Sequence, residues 1–225
     1  MTATSLTPRA ARSRRSRRPS GDDRERDILA TAERLLEERR FHEICVDDLA
    51  RGAGISRPSF YFYFPSKDAV FLTLLDRVVE EARTTRDTAL EGLAEDPARR
   101  WREALTAIHD TFGSHKGLSL VASEFFAHSG EARELWAHVM EGFVQETAAA
   151  IEAERARGAA PTGAPARDIA IALNWMNERV LHTTFTGQAP ALDDEVVIDV
   201  LLEVWLRAIY GRTEADSAAE RDRVD

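Results

Sequence analysis

The chain has 225 residues with a formal net charge of −9; 44% of the residues are hydrophobic and 31% are charged. This balance is typical of a globular protein, and no apolar run approaches the ~20 residues that span a bilayer. No apolar segment follows the arginine pairs at 14–15 and 17–18, as a twin-arginine export signal requires. The single cysteine, Cys45, excludes an internal disulfide and a cysteine-based zinc site. We therefore expect a cytoplasmic protein that does not enter a membrane.

The charge is distributed unevenly along the chain. Residues 1–20 contain six arginines and no acidic residue, so the rest of the chain carries −15. A segment rich in arginine, serine and proline cannot bury a core, and residues 1–21 are predicted to form a disordered basic arm. Such an arm can follow a phosphate backbone or enter a minor groove of DNA. The alternative is a solvated tail with no specific role.

Two helical patterns follow the arm. The first is predicted from Arg24 to near Arg39, and the second begins after Cys45. Because a thiol is a weak hydrogen-bond acceptor, Cys45 is expected to cap the second helix poorly, at a cost of about 1 kcal/mol. The apolar residues at helical spacing are Ile28, Leu29, Ala32, Leu35 and Leu36 in the first pattern, and Val46, Leu49, Ala50 and Ala53 in the second.

The next segment carries the signals of a tight turn and a capped helix. Gly54 tolerates the positive φ of a sharp turn, Ser56 can accept hydrogen bonds from the first N–H groups of a helix, and Pro58 fits its first turn. One short helix is therefore expected to end near Gly52 and another to begin at Ser56. This spacing indicates a DNA-binding helix-turn-helix whose second helix is the recognition helix.

The remaining chain is predicted to be helical as well. Ser66 can cap a fourth, longer helix, further apolar stripes start at Trp101 and Trp136, and two final helices are expected at about 168–184 and 193–210. The predicted fold class is all-α. It comprises a three-helix helix-turn-helix domain over residues 22–68, a larger helical domain over residues 69–211, and a disordered tail over residues 212–225.

Residues 54–69, Gly-Ile-Ser-Arg-Pro-Ser-Phe-Tyr-Phe-Tyr-Phe-Pro-Ser-Lys-Asp-Ala, resemble the signature of TetR-type transcriptional repressors. Four further stretches, at 19–24, 112–116, 153–161 and 174–179, are similar to one branch of that family, the mycobacterial ethionamide-resistance repressors. The resemblance implies a repressor without cofactors that binds double-stranded operator DNA. It also implies release by a small, elongated, largely apolar effector held in the larger domain.

The recognition segment supplies the candidate DNA contacts. Arg57, Ser59 and Tyr61 are expected to meet DNA, and Tyr61, Tyr63 and Lys67 resemble the phosphate-contacting positions of the family. The alternative for both tyrosines is a packing role with their hydroxyls in solvent. The predicted DNA-binding residues are Ser56, Arg57, Pro58, Ser59, Tyr61, Tyr63 and Lys67.

The DNA affinity has to come from the placement of charges, since residues 22–68 contain eleven acidic and eight basic residues. One helix-turn-helix buries too little surface for tight specific binding, which favours a homodimer with two recognition helices about 34 Å apart. The final two helices are the predicted dimer surface; the alternative is that their apolar faces only close the protomer's own core. These faces comprise Ile169, Leu173, Met176, Val180, Val196, Val200 and Val204.

The resemblance also implies an apolar ligand pocket in which Asn174 and Asn177 donate to a ligand carbonyl. Buried amides need partners, and the alternative is an ordinary core with both asparagines bonded to the backbone. Ile108 and His182 stand where the related repressors have phenylalanine, so a wider or wetter cavity is expected. The predicted ligand-binding residues are Trp101, Ile108, Trp136, Met140, Phe143, Thr147, Asn174, Asn177, His182 and Trp205.

The sequence offers no catalytic constellation. The six histidines show no paired ligand spacing, the Gly52 to Gly54 doublet lacks the third glycine of a nucleotide-binding loop, and no nucleophile-elbow or Walker sequence occurs. We therefore expect neither a metal site nor enzymatic activity. Two rival functions stay open: an architectural DNA-binding protein without effector control, and an enzyme that uses the pocket of the larger domain.

Overall fold

The computed structural model describes residues 21–119, 121 and 130–211, and these ranges are helical without a strand. The elements are α1 (Gly21–Glu38), a 3₁₀ turn (Phe41–Glu43), α2 (Val46–Gly52), α3 (Arg57–Phe60), α4 (Lys67–Leu90), α5 (Pro97–Ser114), α6 (Gly130–Ala156), α7 (Ala166–Thr186) and α8 (Asp194–Tyr210). The all-α prediction is confirmed. Residues 1–20 of the predicted arm and the predicted tail lie outside the described residues, and Gly21 is the first residue of α1.

Helices α1 to α4 enclose the core of the N-terminal head. All five apolar residues predicted to form the stripe of α1 are buried. Phe60 of α3 and Phe71 of α4 are at most 1% exposed, and burial of a side chain of this size stabilises a fold by about 1.5–3 kcal/mol. α1 and α2 approach so closely that a Cβ on Gly52 would lie 2.2 Å from Cγ2 of Thr31. The crossing therefore favours glycine at the end of α2.

The helix-turn-helix has the local chemistry that the sequence predicts. Gly54 has a φ of 66° in the turn after α2, a conformation that strains residues with a Cβ. The hydroxyl of Ser56 accepts a hydrogen bond from the backbone N–H of Ser59 at 3.2 Å. Ser66 caps α4 in the same way, accepting from the N–H of Ala69 at 3.1 Å. These contacts fix where α3 and α4 begin.

The start of α2 has a contact that the sequence prediction missed. The carboxylate of Asp48 accepts hydrogen bonds from the thiol and from the backbone N–H of Cys45, both at 3.1 Å. These two bonds lower the pKa of Asp48 below its ordinary value. The expectation of a poor cap considered Cys45 only as an acceptor, whereas the helix itself supplies an acceptor for Cys45.

Helix α4 joins the head to the larger domain without a break in the core. Its apolar face is buried from Val70 to Ala82, and the helix packs against α5. The buried cluster of the head continues into Val139 and Phe143 of α6. The head and the larger domain therefore share one buried cluster.

A second buried cluster lies among α5, α7 and α8. At its edge, the indole N–H of Trp101 donates to the hydroxyl of Tyr210 at 3.0 Å, and this hydroxyl donates to the carboxylate of Glu154 at 2.8 Å. Glu154 is 2% exposed, and its charge is paired with Arg157 at 2.7 Å. Burial raises the pKa of Tyr210, which keeps its hydroxyl protonated as the donor to Glu154. The network ties α5, α6 and α8 together.

The last two helices end at glycines in the left-handed region. Gly187 has a φ of 65° after α7, and Gly211 has a φ of 66° after α8. Helix α7 extends two residues beyond the predicted range 168–184 at each end, and α8 begins one residue after the predicted start at Asp193. The predicted helices are therefore confirmed with small corrections to their bounds.

Candidate functional site

Helix α3 presents a small exposed surface on a buried support. Phe60 and Phe64 are buried in the head, and the ring of Phe60 meets that of Tyr61 edge-on at 5.6 Å. The predicted DNA-binding residues Ser56, Arg57, Pro58 and Tyr61 are exposed, and Ser59 is half-buried. The aromatic support therefore holds a polar, exposed turn on the outside of the head.

Arg57 is held in place by its neighbours on this surface. Its guanidinium donates to the hydroxyl of Tyr61 at 3.4 Å and to the carboxylate of Asp47 at 3.2 Å. Tyr61 and, after it, Asp47 raise the pKa of Arg57 above its ordinary value. The arginine is therefore a permanent cation, and binding to a phosphate or a base edge would exchange Asp47 for the new partner.

Lys67 lies in a different environment from the exposed turn. Its ammonium donates to the carbonyl oxygens of Phe41 and Ile44, both at 2.9 Å, and lies 4.3 Å from the centre of the Phe41 ring. An ammonium has three N–H donors, so one remains for a further acceptor. Lys67 thus ties the start of α4 to the 3₁₀ turn. Tyr63 is half-buried and packs against the head core.

Phe62 was not among the predicted site residues. Its side chain is 86% exposed, although its neighbours Phe60 and Phe64 are buried. An isolated exposed phenylalanine is a common surface feature, but this one lies beside Tyr61 at the end of the recognition turn. Helical spacing contained this signal, since Phe60 and Phe64 lie one turn apart and face inward, whereas Tyr61 and Phe62 between them face outward.

The larger domain encloses a cavity with about 1040 Å³ of space free of protein atoms, part of it open to solvent. All ten predicted ligand-binding residues line this one cavity: Trp101, Ile108, Trp136, Met140, Phe143, Thr147, Asn174, Asn177, His182 and Trp205. Ten further residues also line it: Leu75, Arg86, Ala104, Leu105, Phe112, Leu118, Ser119, Glu178, Leu181 and Phe185. A mostly apolar wall with a few polar groups is typical of small-molecule sites.

The two asparagines of α7 differ in which atoms of their side-chain amides are already hydrogen-bonded. Asn174 donates through its amide to the hydroxyl of Thr147 at 3.1 Å and to the carbonyl of Ala170 at 2.9 Å. Asn177 accepts at its oxygen from the indole N–H of Trp205 at 2.9 Å. Its NH₂ group donates to none of the described residues, so Asn177 keeps a free donor in the cavity wall. The rings of Trp205 and Trp101 lie 4.9 Å apart beside it.

The cavity wall includes a charged residue that the sequence prediction missed. Arg86 of α4 is 6% exposed and lies with its guanidinium 5.0 Å from the centre of the Phe143 ring. It is paired with Asp87 at 2.6 Å and with Glu146. In sequence, Arg86 lies in a polar stretch of α4 that is indistinguishable from a solvated face. Only the packing of α6 on α4 shows that this arginine is buried.

The exposed apolar residues of α7 and α8 form the third candidate site. On α8 they are Val196, Val200 and Val204, each 39–44% exposed, as the sequence predicted. On α7 the structure contradicts the prediction for Leu173, which is 3% exposed and belongs to the core; Ile169, Met176 and Val180 are half-buried and pack against the same cluster, as the alternative allowed. The large exposed apolar residues of α7 are instead Ile171 and Trp175. The Leu173 face of α7 is covered because it packs into the buried cluster shared with α5 and α8.

Comparison with known proteins decides the family. A family model described as bacterial regulatory proteins, tetR family, matches residues 28–74, and one described as transcriptional regulator EthR, C-terminal domain, matches residues 101–211. The HTH-type transcriptional regulator EthR of Mycobacterium tuberculosis (strain ATCC 25618 / H37Rv) is 53% identical over 205 residues, covering 89% of this chain and 93% of that protein. The chain belongs to the TetR family of transcriptional regulators. EthR of Mycolicibacterium smegmatis is 48% identical over 218 residues, covering 97% of this chain and 100% of that protein.

Solved structures with this fold extend the comparison. A TetR-family regulator from Syntrophomonas wolfei has a TM-score of 0.70 at 17% identity, covering 84% of this chain and 95% of that one. A transcriptional regulator from Saccharomonospora viridis in complex with choline has a TM-score of 0.62 at 21% identity, covering 82% and 94%. These likenesses confirm the predicted fold of a helix-turn-helix domain followed by a larger helical domain.

The family matches coincide with the two sites. The tetR match spans the recognition segment, and the EthR C-terminal match spans all ten predicted cavity residues. As a transcriptional regulator the chain is not an enzyme, as the sequence predicted. Within the described residues, no helix is both long and apolar enough to span a membrane, and no cluster of three metal-ligating side chains occurs.

Proposed function

We propose that this TetR-family regulator is a repressor that binds operator DNA as a homodimer and is released by a small, elongated, largely apolar effector. One observation carries the proposal: an apolar cavity with a free amide donor lies beside a helix-turn-helix with which it shares a core. The rival function of an architectural DNA-binding protein gives this cavity no role. Because its target is double-stranded DNA, we place the protein in the cytoplasm.

Arg57, Ser59 and Tyr61 are proposed to contact base edges or phosphates in the major groove. Ser56 and Pro58 hold the start of α3 against the DNA, and the half-buried Tyr63 and Lys67 contribute from the margin. One N–H of Lys67 and the exposed hydroxyl of Tyr61 are suited to phosphate. The six arginines of residues 1–20 add sequence-independent affinity through counterion release.

The effector is proposed to lie along the cavity with its apolar body between the aromatic walls. The free NH₂ of Asn177 is placed to donate to a carbonyl of the ligand, while Asn174 is already engaged with Thr147. A donor held in place by Trp205 needs little reorganisation on binding, which favours a ligand that offers one acceptor. This combination selects an elongated amide, ester or ketone.

Effector binding has a short route to the head. Leu118 and Ser119 line the cavity, and the residues just before them contact α1. The backbone N–H of Gly117 donates to the carboxylate of Glu37 at 3.1 Å, and His115 bonds to Glu33 one turn earlier in α1. Displacement of this wall by a ligand would shift α1 and, through the shared core, the recognition helix. The ligand then favours a head position that mismatches the operator.

A homodimer is proposed to form through α7 and α8. The large exposed apolar residues are Val196, Val200 and Val204 on α8 and Ile171 and Trp175 on α7, and these two helices pack against each other. Such a patch on two adjacent helices is suited to a self-complementary contact with a second copy. Two copies would present two recognition helices to one operator.

The proposal is tested by selecting DNA that binds the full-length protein from a random duplex pool. Specific affinity for the selected duplex should exceed affinity for a scrambled duplex by at least about 10³-fold. N-hexylbenzamide, a neutral elongated amide, should then release the selected duplex in a fluorescence anisotropy titration. Salt-sensitive binding without sequence preference would instead support the architectural alternative.

A further inference from the structure

Helix α7 carries a polar stripe along the cavity. Asn174, Asn177, Glu178 and His182 share one face of the helix, and all four line the cavity. The asparagines are held by Thr147, Trp205 and the backbone, as described above. Glu178 and His182 are different, because neither side chain makes a hydrogen bond to any described residue. One turn of α7 thus places a carboxylate and an imidazole, neither hydrogen-bonded within the described part of the chain, in a mostly apolar wall.

The charges around this pair do not cancel that of Glu178. Arg86, which also lines the cavity, is already paired with Asp87 and Glu146. The cation closest to Glu178 is Arg179, whose Nε is 3.9 Å from the carboxylate and whose side chain is 63% exposed. At this distance and exposure the attraction is largely screened by water. When ionised, Glu178 therefore has only this weak ion pair among the described residues.

The protonation of the pair follows from its surroundings. Burial raises the pKa of Glu178, and burial together with Arg179 lowers the pKa of His182. At neutral pH the imidazole is therefore uncharged and offers a ring nitrogen as an acceptor. The carboxylate is destabilised by burial and gains from a cation that enters the cavity. Both side chains can accept hydrogen bonds from the same donor group.

We propose that this cavity is selective for effectors that carry a protonated primary or secondary amine on an apolar body, with the ammonium bound between Glu178 and His182. An ammonium has several N–H donors, and the two acceptors are one helical turn apart on the same wall. Phe185, at the next turn, adds an aromatic side chain to the same wall. This specificity rests on the proposed function and goes beyond the apolar, carbonyl-bearing ligand that Asn177 alone would select.

The same contacts exclude the opposite ligand charge. A carboxylate ligand would meet Glu178, while Arg86 is occupied by two acidic side chains. A neutral alcohol fits the apolar wall but supplies one donor and no charge. The expected order of affinity is therefore amine above alcohol above carboxylate for ligands with the same apolar body.

The test uses three probes with the same body: 6-phenylhexylamine, 6-phenylhexan-1-ol and 6-phenylhexanoic acid. Their affinities for the full-length protein are measured by isothermal titration calorimetry at pH 7. The amine should bind at least tenfold more tightly than the alcohol, and the acid more weakly than either. Glu178→Gln should abolish the preference for the amine and leave the affinity for the alcohol within about twofold.

Two further variants keep the test independent of folding defects. Asp168→Asn removes an exposed acid from the same helix outside the cavity lining, and it should retain the full preference for the amine. His182→Phe should reduce the preference while keeping alcohol binding, because it removes one acceptor and preserves an aromatic side chain.

Equal binding of amine and alcohol to the wild type would overturn the amine specificity. Retention of the preference in Glu178→Gln would overturn it as well. Binding of the alcohol distinguishes the proposed effector cavity from its proposed preference for amines. If the alcohol binds and the amine binds no more tightly, only the preference for amines is contradicted. If no probe binds, the proposal of an effector cavity fails with it.

Discussion

Gly117 lies directly against the backbone of Leu36, so that a Cβ at position 117 would be 2.7 Å from both the carbonyl carbon and the carbonyl oxygen of Leu36. This contact joins the helical stretch 116–119, which follows α5, to helix α1 of the head. A backbone group cannot turn aside as a flexible side chain can. Position 117 therefore sets the distance between the cavity wall and the DNA-binding head.

Gly117→Ala is expected to push α1 away and to weaken operator binding by at least tenfold, with a loss of stability of about 1–3 kcal/mol from overpacking. Gly113→Ala is the matched control four residues earlier. Its Cβ would meet only the ring of Phe185 at 3.4 Å, an ordinary contact, and an alanine inside a helix gains about 0.5–1 kcal/mol over glycine. Operator titrations and thermal melts of both variants check this. Equal operator affinity in the two variants would contradict the account.

The recognition segment is expected to separate into a folding part and a DNA-contacting part. Lys67→Met should destabilise the protein by about 1–3 kcal/mol, because the carbonyls of Phe41 and Ile44 lose their charged donor. Arg57→Ala removes a side chain on the exposed surface and should change stability by at most about 0.5 kcal/mol. Its DNA affinity should nevertheless fall by about tenfold or more. Denaturant titrations measure the stability of both variants, and anisotropy measures their DNA affinity. The assignment of Lys67 to folding is contradicted if Lys67→Met unfolds at the same denaturant concentration as the wild type.

Much of this arrangement could be predicted from the sequence, because local chemistry decides it. The positive φ of Gly54 and the caps at Ser56 and Ser66 follow from residue type and spacing. The cavity residues followed from a family resemblance, which carries tertiary information that periodicity alone lacks. All ten residues predicted from that resemblance line one cavity.

The features that were missed depend on contacts between distant parts of the chain. Arg86 lies in a polar stretch of α4 and is buried only because α6 packs over it. Lys67 has the position of a phosphate contact, yet two carbonyls 23 and 26 residues earlier in the chain hold its ammonium. The face of α7 that holds Leu173 was assigned to a dimer surface because a stripe of apolar residues does not show which side is covered.

Asn177 is expected to be the polar anchor for neutral carbonyl ligands. Asn177→Leu removes the free NH₂ group and should weaken N-hexylbenzamide binding by about 1–3 kcal/mol. It should also reduce stability, because the indole N–H of Trp205 loses its acceptor. Asn174→Leu is the comparison, since the Asn174 amide is already engaged with Thr147 and the backbone. Calorimetry should show the smaller loss of affinity for Asn174→Leu. A larger loss for Asn174→Leu than for Asn177→Leu would show that Asn177 is not the polar anchor.

His109 predicts a specific dependence of stability on pH. Burial alone lowers the pKa of His109, but hydrogen bonds to Asp110 and Asp194, each at 2.9 Å, outweigh burial and raise the pKa above its ordinary 6.5. The stabilisation is therefore fully present below pH 6.5 and is lost as the pH rises through the folded-state pKa. Because both aspartates are exposed, the effect is expected to stay below about 1 kcal/mol.

The comparison of wild type with His109→Gln isolates this contribution. The wild type should exceed the variant in melting temperature by more at pH 6 than at pH 9. The ring centres of His109 and Phe185 lie 5.3 Å apart. A difference in melting temperature that is constant across this pH range would show that His109 acts only through packing against this ring.

The central claim is that occupation of the cavity and binding of the operator oppose each other, and thermodynamic linkage provides its most direct measurement. The affinity of N-hexylbenzamide is measured by calorimetry with the free protein and with the protein saturated by its selected duplex. The operator affinity is measured in parallel with and without the amide. We predict that each ligand weakens the other by the same factor, of about 5–150-fold. Binding of the amide with unchanged affinity in the presence and absence of the operator would contradict the account.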